Sequence, residues 1–178
     1  AITGIKKRRY INDDQTVVDI AIEAAKKTIL DAKLDQESID YTIVAHNVGD
    51  ITLNSNQVNT LPSLASKVKS GLNIKSPDCV AYDILFGCPG WVEGVIQATA
   101  FIKAGMAKKC LVLGADTLSR VLDHSDRDSM IYADGAGASM IEASKGKGGI
   151  LSHKTVTYTS EGEADFIFYG PSNDKGKG

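Results

Sequence analysis

Short apolar runs alternating with segments of helical period constrain this chain more than any other feature. Tyr41 to His46, Cys79 to Leu85 and Cys110 to Leu113 are brief and apolar or β-branched, so each reads as a strand. Elsewhere the period changes. Val17, Ile20, Ala21, Ala24, Ala25, Thr28 and Ile29 recur at helical spacing, with Thr16 as N-cap and Asp19 three positions on. That spacing predicts an amphipathic helix from Val17 to Ala32. Pro62 sits at the start of a short helix reaching about Ser70. Trp91 to Ala104 is apolar on most sides and stops at Gly105, which predicts a buried helix. Ala136 to Ile141 reads as a further strand, and a Gly/Lys turn over Lys145 to Gly149 leads to another near Ile150 to Val156. Val48 to Leu61 and Ser119 to Ser129 are polar and read as loops. Strands alternating with helices imply an α/β domain with a largely parallel sheet, one domain over residues 1–178.

The totals exclude several classes. Of the 178 residues, 43% are hydrophobic and 24% charged, as in an ordinary soluble globular protein. A net charge of −2 gives no basic excess to attract nucleic acid. No apolar run approaches the length of a membrane span, and no signal peptide is visible at the N-terminus. The basic run Lys6-Lys7-Arg8-Arg9 reads as a solvated turn, or else as a phosphate contact. Cys79, Cys88 and Cys110 are odd in number and contain no Cys-x-x-Cys pair. This argues against a disulfide framework and a structural zinc site, and for a reducing cytoplasm. The segment Asp123 to Asp128 lacks established ligand spacing, so no metal is expected. Gly135-Ala136-Gly137 lacks the third glycine of a dinucleotide fingerprint.

The segment Tyr82-Asp83-Ile84-Leu85-Phe86-Gly87-Cys88-Pro89-Gly90-Trp91 carries the chemistry. A strand ends, a cysteine follows between glycines, and a helix begins. A helix N-terminus stabilises negative charge and so favours the thiolate, which is the nucleophilic form. Gly87 and Gly90 lack Cβ and admit a substrate carbonyl close to the backbone. Pro89 suits the first helical position and has no N–H, so an oxyanion donor here is the Cys88 N–H or a later group. These residues alone leave two readings of Cys88: a nucleophile, or a small buried hydrophobe. Cys79 and Cys110 read as core residues.

Asp83-Ile84-Leu85-Phe86-Gly87-Cys88-Pro89-Gly90 resembles the active-site cysteine segment of the ketoacyl-carrier-protein synthases III, in the thiolase superfamily. Four further blocks agree in order: Thr3-Gly4-Ile5-Lys6-Lys7-Arg8, Leu61-Pro62-Ser63-Leu64-Ala65, Leu113-Gly114-Ala115-Asp116 with Asp126-Arg127, and Ala133-Asp134-Gly135-Ala136-Gly137-Ala138. The resemblance covers about Thr3 to Ser144. It implies the N-terminal half of a thiolase-like fold, a mostly parallel mixed sheet with a buried helix after the nucleophile. It implies an acyltransferase of fatty-acid synthesis. Cys88 would take an acyl group from acyl-CoA as a thioester, and malonyl-acyl carrier protein would then decarboxylate and attack it. Coenzyme A enters as a substrate thioester, and no permanently bound cofactor is implied. By the same resemblance Arg127 contacts the coenzyme A nucleotide, and Leu61 reaches the acyl pocket of the partner subunit in a homodimer. The residues themselves leave Arg127 open to pairing with Asp126 or Asp128, and Leu61 to plain core packing.

The departures also carry information. The family's catalytic histidine and asparagine belong to its C-terminal half, and His46, His124 and His153 match no catalytic motif. Ile2 stands where the family has an arginine, and its first strand and upstream tryptophan precede the matched region. The resemblance thus implies a chain trimmed at both ends that does not condense on its own. The competing readings are a relative that only moves acyl groups between carriers, and a non-catalytic scaffold that keeps the fold.

Overall fold

The computed structural model describes residues 3–55, 57–123, 125–146 and 148–165. Helix α1, Val17–Ala32, begins at the predicted cap. The Thr16 side chain accepts from the Asp19 N–H, and the Asp19 carboxylate accepts from the Thr16 N–H at 2.8 Å. This reciprocal pair satisfies two amides that a helix start otherwise leaves orphaned. Strand β1, Tyr41–His46, follows. The polar stretch after it contains more than a loop. Asp50–Ile51 (β2) and Val58–Asn59 (β3) pair antiparallel, and Lys67 Nζ pins them by donating to Asp50 at 2.8 Å. A two-residue pair leaves no alternation to read in a sequence. Helix α2, Leu64–Gly71, starts after Pro62, with Ser63 as the capping residue. Then come β4 (Val80–Leu85), α3 (Gly90–Lys103), β5 (Lys109–Thr117) and β6 (Asp134–Glu142).

The main sheet runs β4-β1-β5-β6, with β4 and β5 parallel to β1, and β6 antiparallel to β5. Side chains alternate between its faces. Val44, Leu111, Leu113 and Ala115 meet α1 and α2, together with Ala21, Ala25, Leu64 and Val68. Ile43, Ala45, Cys110 and Val112 meet α3 on the opposite face, with Ala98. The sheet thus has two apolar sides covered by different helices, which is why its strands read as continuous apolar runs.

Two expectations need correction. Helix α3 buries Gly90, Gly94 and Ala98 against the sheet but leaves Trp91 and Val92 exposed, so it is covered on one face rather than on most sides. No strand forms near Ile150 to Val156. That stretch is exposed and has no sheet neighbour among the described residues, so its β-branched residues lack the pairing that would make them a strand.

Candidate active site

The turn from β4 to α3 is closed by Gly90 N–H donating to the Gly87 carbonyl at 2.8 Å. Pro89 occupies the cap (φ −81°, ψ 8°), one position before the predicted place, and Gly90 opens the helix. Neither residue therefore offers a free oxyanion donor: Pro89 has no N–H, and the Gly90 N–H is committed. Of the three residues from Cys88 to Gly90, that leaves the Cys88 N–H. Cys88 is exposed, whereas Cys79 and Cys110 are buried. Burial pushes the Cys79 thiol up and the Cys110 thiol up to about 12. The reading of Cys88 as a buried hydrophobe is therefore excluded, and the other two cysteines are core residues as expected.

Glycines seat α3 closely on the sheet. A Cβ at Gly90 would lie 2.9 Å from the Ala45 Cβ, and one at Gly94 would lie 2.8 Å from the Val112 Cγ1. Gly114 does the same from the strand side, where a Cβ would come within 3.3 Å of the Trp91 Cβ. Cys88 opens onto a cavity of about 310 Å³ lined by His46, Asn47, Trp91, Gly114, Asp116 and Asp134, among others.

Carboxylates shape this cavity. Asp116 accepts from the Asn47 N–H and side-chain amide, each at 2.8 Å, and from the Val48 N–H at 3.4 Å, so it holds the turn after β1. Asp134 accepts from Ile11 N–H, Ser119 N–H and Ser119 Oγ. Asp83 accepts from Leu64 N–H at 2.8 Å and Ala65 N–H at 2.7 Å, capping α2, and from His46 Nε2 at 3.2 Å. Burial pushes the Asp83 carboxyl up. The His46 bond and the two α2 amides outweigh that and hold it below the ordinary carboxylate value.

His46 is the residue that the sequence reading passed over. The fold brings it to the Cys88 cavity with its side chain only 11% exposed. Its signal was its position at the C-terminal end of a parallel strand, the end at which sites of open α/β sheets gather. His153 lies in the exposed stretch without strand, and His124 lies outside the described residues, as does Ile2. Arg127 opens a short 3₁₀ turn, Arg127–Ile131, and pairs with Asp128 at 3.3 Å, with its side chain 90% exposed. That is the pairing the residues had left open. Leu61 is 88% exposed, so plain core packing does not account for it. Neither residue lines the Cys88 cavity. The basic run is partly structural: Arg8 donates to the carbonyls of Met130 and Ile131. Among the described residues, no cluster of three or more His, Cys, Asp or Glu is placed to hold a metal, and no helix is long and apolar enough to cross a membrane.

Residues 82–159 match the family model for 3-oxoacyl-[acyl-carrier-protein] synthase III. The beta-ketoacyl-[acyl-carrier-protein] synthase III of Paracoccus denitrificans is 38% identical over 149 residues, covering 83% of this chain and 43% of that protein. The corresponding synthase III 1 of Vibrio parahaemolyticus is 41% identical over 154 residues, covering 86% and 46%. The crystal structure of 3-oxoacyl-[acyl-carrier-protein] synthase III from Aquifex aeolicus superposes with a TM-score of 0.70 at 36% identity, covering 82% of this chain and 44% of that one. The mixed, mostly parallel sheet is thus the expected thiolase-like α/β fold, and the chain spans about half the length of the curated relatives it matches. The family match begins at Tyr82 and takes in the whole β4–Cys88–α3 turn as well as the β5 and β6 edges of the cavity, so this chain belongs to the 3-oxoacyl-[acyl-carrier-protein] synthase III family.

Proposed function

We propose that this chain supplies the acyl-accepting part of a condensing enzyme of fatty-acid synthesis, with Cys88 as the nucleophile. The carrying observation is that Cys88 alone of the three cysteines is exposed, on a glycine-flanked turn at the start of α3 and open to a cavity. In the first step the Cys88 thiolate attacks the carbonyl of an acyl-CoA. The bond from carbon to the Cys88 sulfur forms, the bond to the coenzyme A sulfur breaks, and coenzyme A leaves as a thiolate that takes up a proton. The α3 N-terminus stabilises the attacking thiolate, and the Cys88 N–H faces charge developing on the carbonyl oxygen. In the second step malonyl-acyl carrier protein loses CO₂. The electron pair of the broken bond becomes an enolate that attacks the Cys88 thioester, and Cys88 departs as a thiolate.

Arg127, exposed on its 3₁₀ turn, is the proposed contact to the coenzyme A nucleotide, its guanidinium exchanging Asp128 for phosphate. Leu61, exposed beside α2, is the proposed contribution to the partner's acyl pocket in a homodimer working in the cytoplasm. No permanently bound cofactor enters this scheme.

Acetyl-CoA followed by mass spectrometry of Cys88 peptides tests the first step. An acetyl adduct on Cys88, lost in Cys88→Ser, is expected. Absence of an adduct at Cys88, or an equal one on Cys79, would refute the nucleophile and favour a scaffold. Adding malonyl-acyl carrier protein to a chain carried through to the full length of the relatives then separates the enzymes: a ketoacyl product means condensation, and transfer of the acetyl group without a new carbon–carbon bond means acyl shuttling.

A further inference from the structure

We infer that His46 is a positioning residue for Cys88, an inference that rests on reading Cys88 as the acyl-accepting nucleophile. Three observations meet in it. Its carbonyl accepts the Phe86 N–H at 3.3 Å, the rung that joins the end of β1 to the nucleophile turn. Its Nε2–H donates to the Asp83 carboxylate at 3.2 Å, and Asp83 is fixed by the Leu64 and Ala65 amides of α2. It also lines the cavity onto which Cys88 opens.

These contacts form one path from the core to the sulfur. Leu64 and Ala65 are buried at 2% and 0% exposure, so the α2 amides are a rigid anchor. Asp83 carries that anchor to the imidazole, and the backbone of His46 carries it on to Phe86, two residues before Cys88. Ladder ends are where strands fray, and the turn holding Cys88 leaves the sheet at this end. The imidazole bond closes the ladder at the place where its opening would let the turn drift.

The other ring nitrogen supports this assignment. His46 Nδ1 is buried without a hydrogen-bond partner among the described residues. An apolar side chain would fill the same space without that penalty. What the ring provides in exchange is the Nε2 bond to Asp83. His46 is not assigned contact with the acyl group, so its effect passes through the placement of Cys88.

The test compares His46→Gln with His46→Asn in the intact protein. The Gln amide reaches about as far as Nε2 and can restore the bond to Asp83, whereas the Asn amide falls short. Both are polar and smaller than or similar to imidazole, and melting curves confirm that each variant is folded. The readout is the rate of Cys88 acetylation by acetyl-CoA, in which the sulfur must meet a bound carbonyl, followed by mass spectrometry. His46→Asn is expected to slow it by roughly ten- to a hundred-fold, the scale of misplacing a reacting group by about an ångström. His46→Gln is expected to restore most of the rate. Equal rates in wild type and His46→Asn would overturn the inference while leaving Cys88 as the nucleophile. A slow His46→Gln would also overturn it, because the Asp83 bond would then not be the cause. If wild-type Cys88 reacts no faster than Cys79 and Cys110, the nucleophile itself falls, and His46 with it.

Discussion

Replacing Gly94 by alanine probes how closely α3 must sit on the sheet for Cys88 to be placed. The added Cβ would lie 2.8 Å from the Val112 Cγ1, with Ile43 Cγ2 at 3.7 Å and Ile84 Cδ1 at 3.8 Å. Carbon atoms in comfortable contact are about 3.5–4.0 Å apart, so the helix or Val112 must yield by about 0.7 Å or more. Val112 is fully buried in β5 between neighbouring strands and cannot swing away. Overpacking of this kind costs about 1–3 kcal/mol. Alanine returns about 1 kcal/mol through its better helix propensity. The expected net effect is a loss of up to about 2 kcal/mol, the difference between those two terms. The displacement matters more than the stability, because Cys88 sits on the turn that leads directly into α3. Urea denaturation reads the first effect and the rate of Cys88 acetylation by acetyl-CoA the second, expected to fall by about ten-fold or more. Pairing the change with Val112→Ala removes the clashing methyl group and should recover acetylation, with a coupling energy of about 0.5–3 kcal/mol. A Gly94→Ala protein that is more stable than wild type and is acetylated at the same rate would refute the close-seating argument, as would strict additivity with Val112→Ala.

Iodoacetamide at pH 8 should label Cys88 in the folded protein and reach Cys79 and Cys110 only after unfolding, since burial both shields those thiols and holds them protonated; peptide mass spectrometry before and after adding urea checks this. Asp83 titrates below its ordinary value of 3.8 when folded, so its stabilisation is present above that value and lost as pH falls through the folded value. Asp83→Asn should therefore cost about 1–3 kcal/mol near neutral pH, and the gap to wild type in urea midpoints should close below about pH 4. Arg127→Ala should change stability by no more than about 0.5 kcal/mol, because its partner pair is exposed. It should weaken acyl-CoA binding by roughly ten-fold in calorimetry, the loss of one charge-assisted contact.

Elements with many residues of one period were legible. Val17–Ala32 and Tyr41–His46 match their predicted limits because each combines a clear apolar pattern with an end signal, such as Thr16 and Asp19 before α1. β5 and β6 extend past the apolar runs that mark them, since Gly114, Asp116, Asp134 and Gly135 are poor strand formers that pair only because their partners do. The exposed face of α3 was not legible. Composition reports that Trp91 and Val92 are apolar, but not that the sheet leaves them uncovered. The Cys88 turn was legible because its glycines and proline act locally. His46 was not, because the bond that gives it meaning joins it to Asp83, 37 positions away.

The same distance effect explains how the separated sequence blocks are tied together in the fold. Asp83 of the cysteine block binds the amides of Leu64 and Ala65 in the Leu61–Ala65 block. Arg8 of the Thr3–Arg8 block binds the carbonyls at the end of the turn that begins with Arg127. Asp116, at the end of the Leu113–Asp116 block, binds Asn47. Asp134 of the last block binds Ile11 and Ser119, tying the segment before α1 to β6 and to the turn that follows β5. In each case a side chain satisfies backbone groups of a different segment, and two of these carboxylates, Asp116 and Asp134, line the Cys88 cavity. A backbone amide presents the same N–H whatever its residue, so the partner leaves no trace in composition, and only the carboxylate or guanidinium end is visible in the sequence. A charged acceptor on a buried amide is also hard to replace, because its loss strands a donor that water does not reach. The blocks therefore depend on one another: Asp83 fits only where α2 presents its first amides, and Arg8 only where the Arg127 turn presents its last carbonyls.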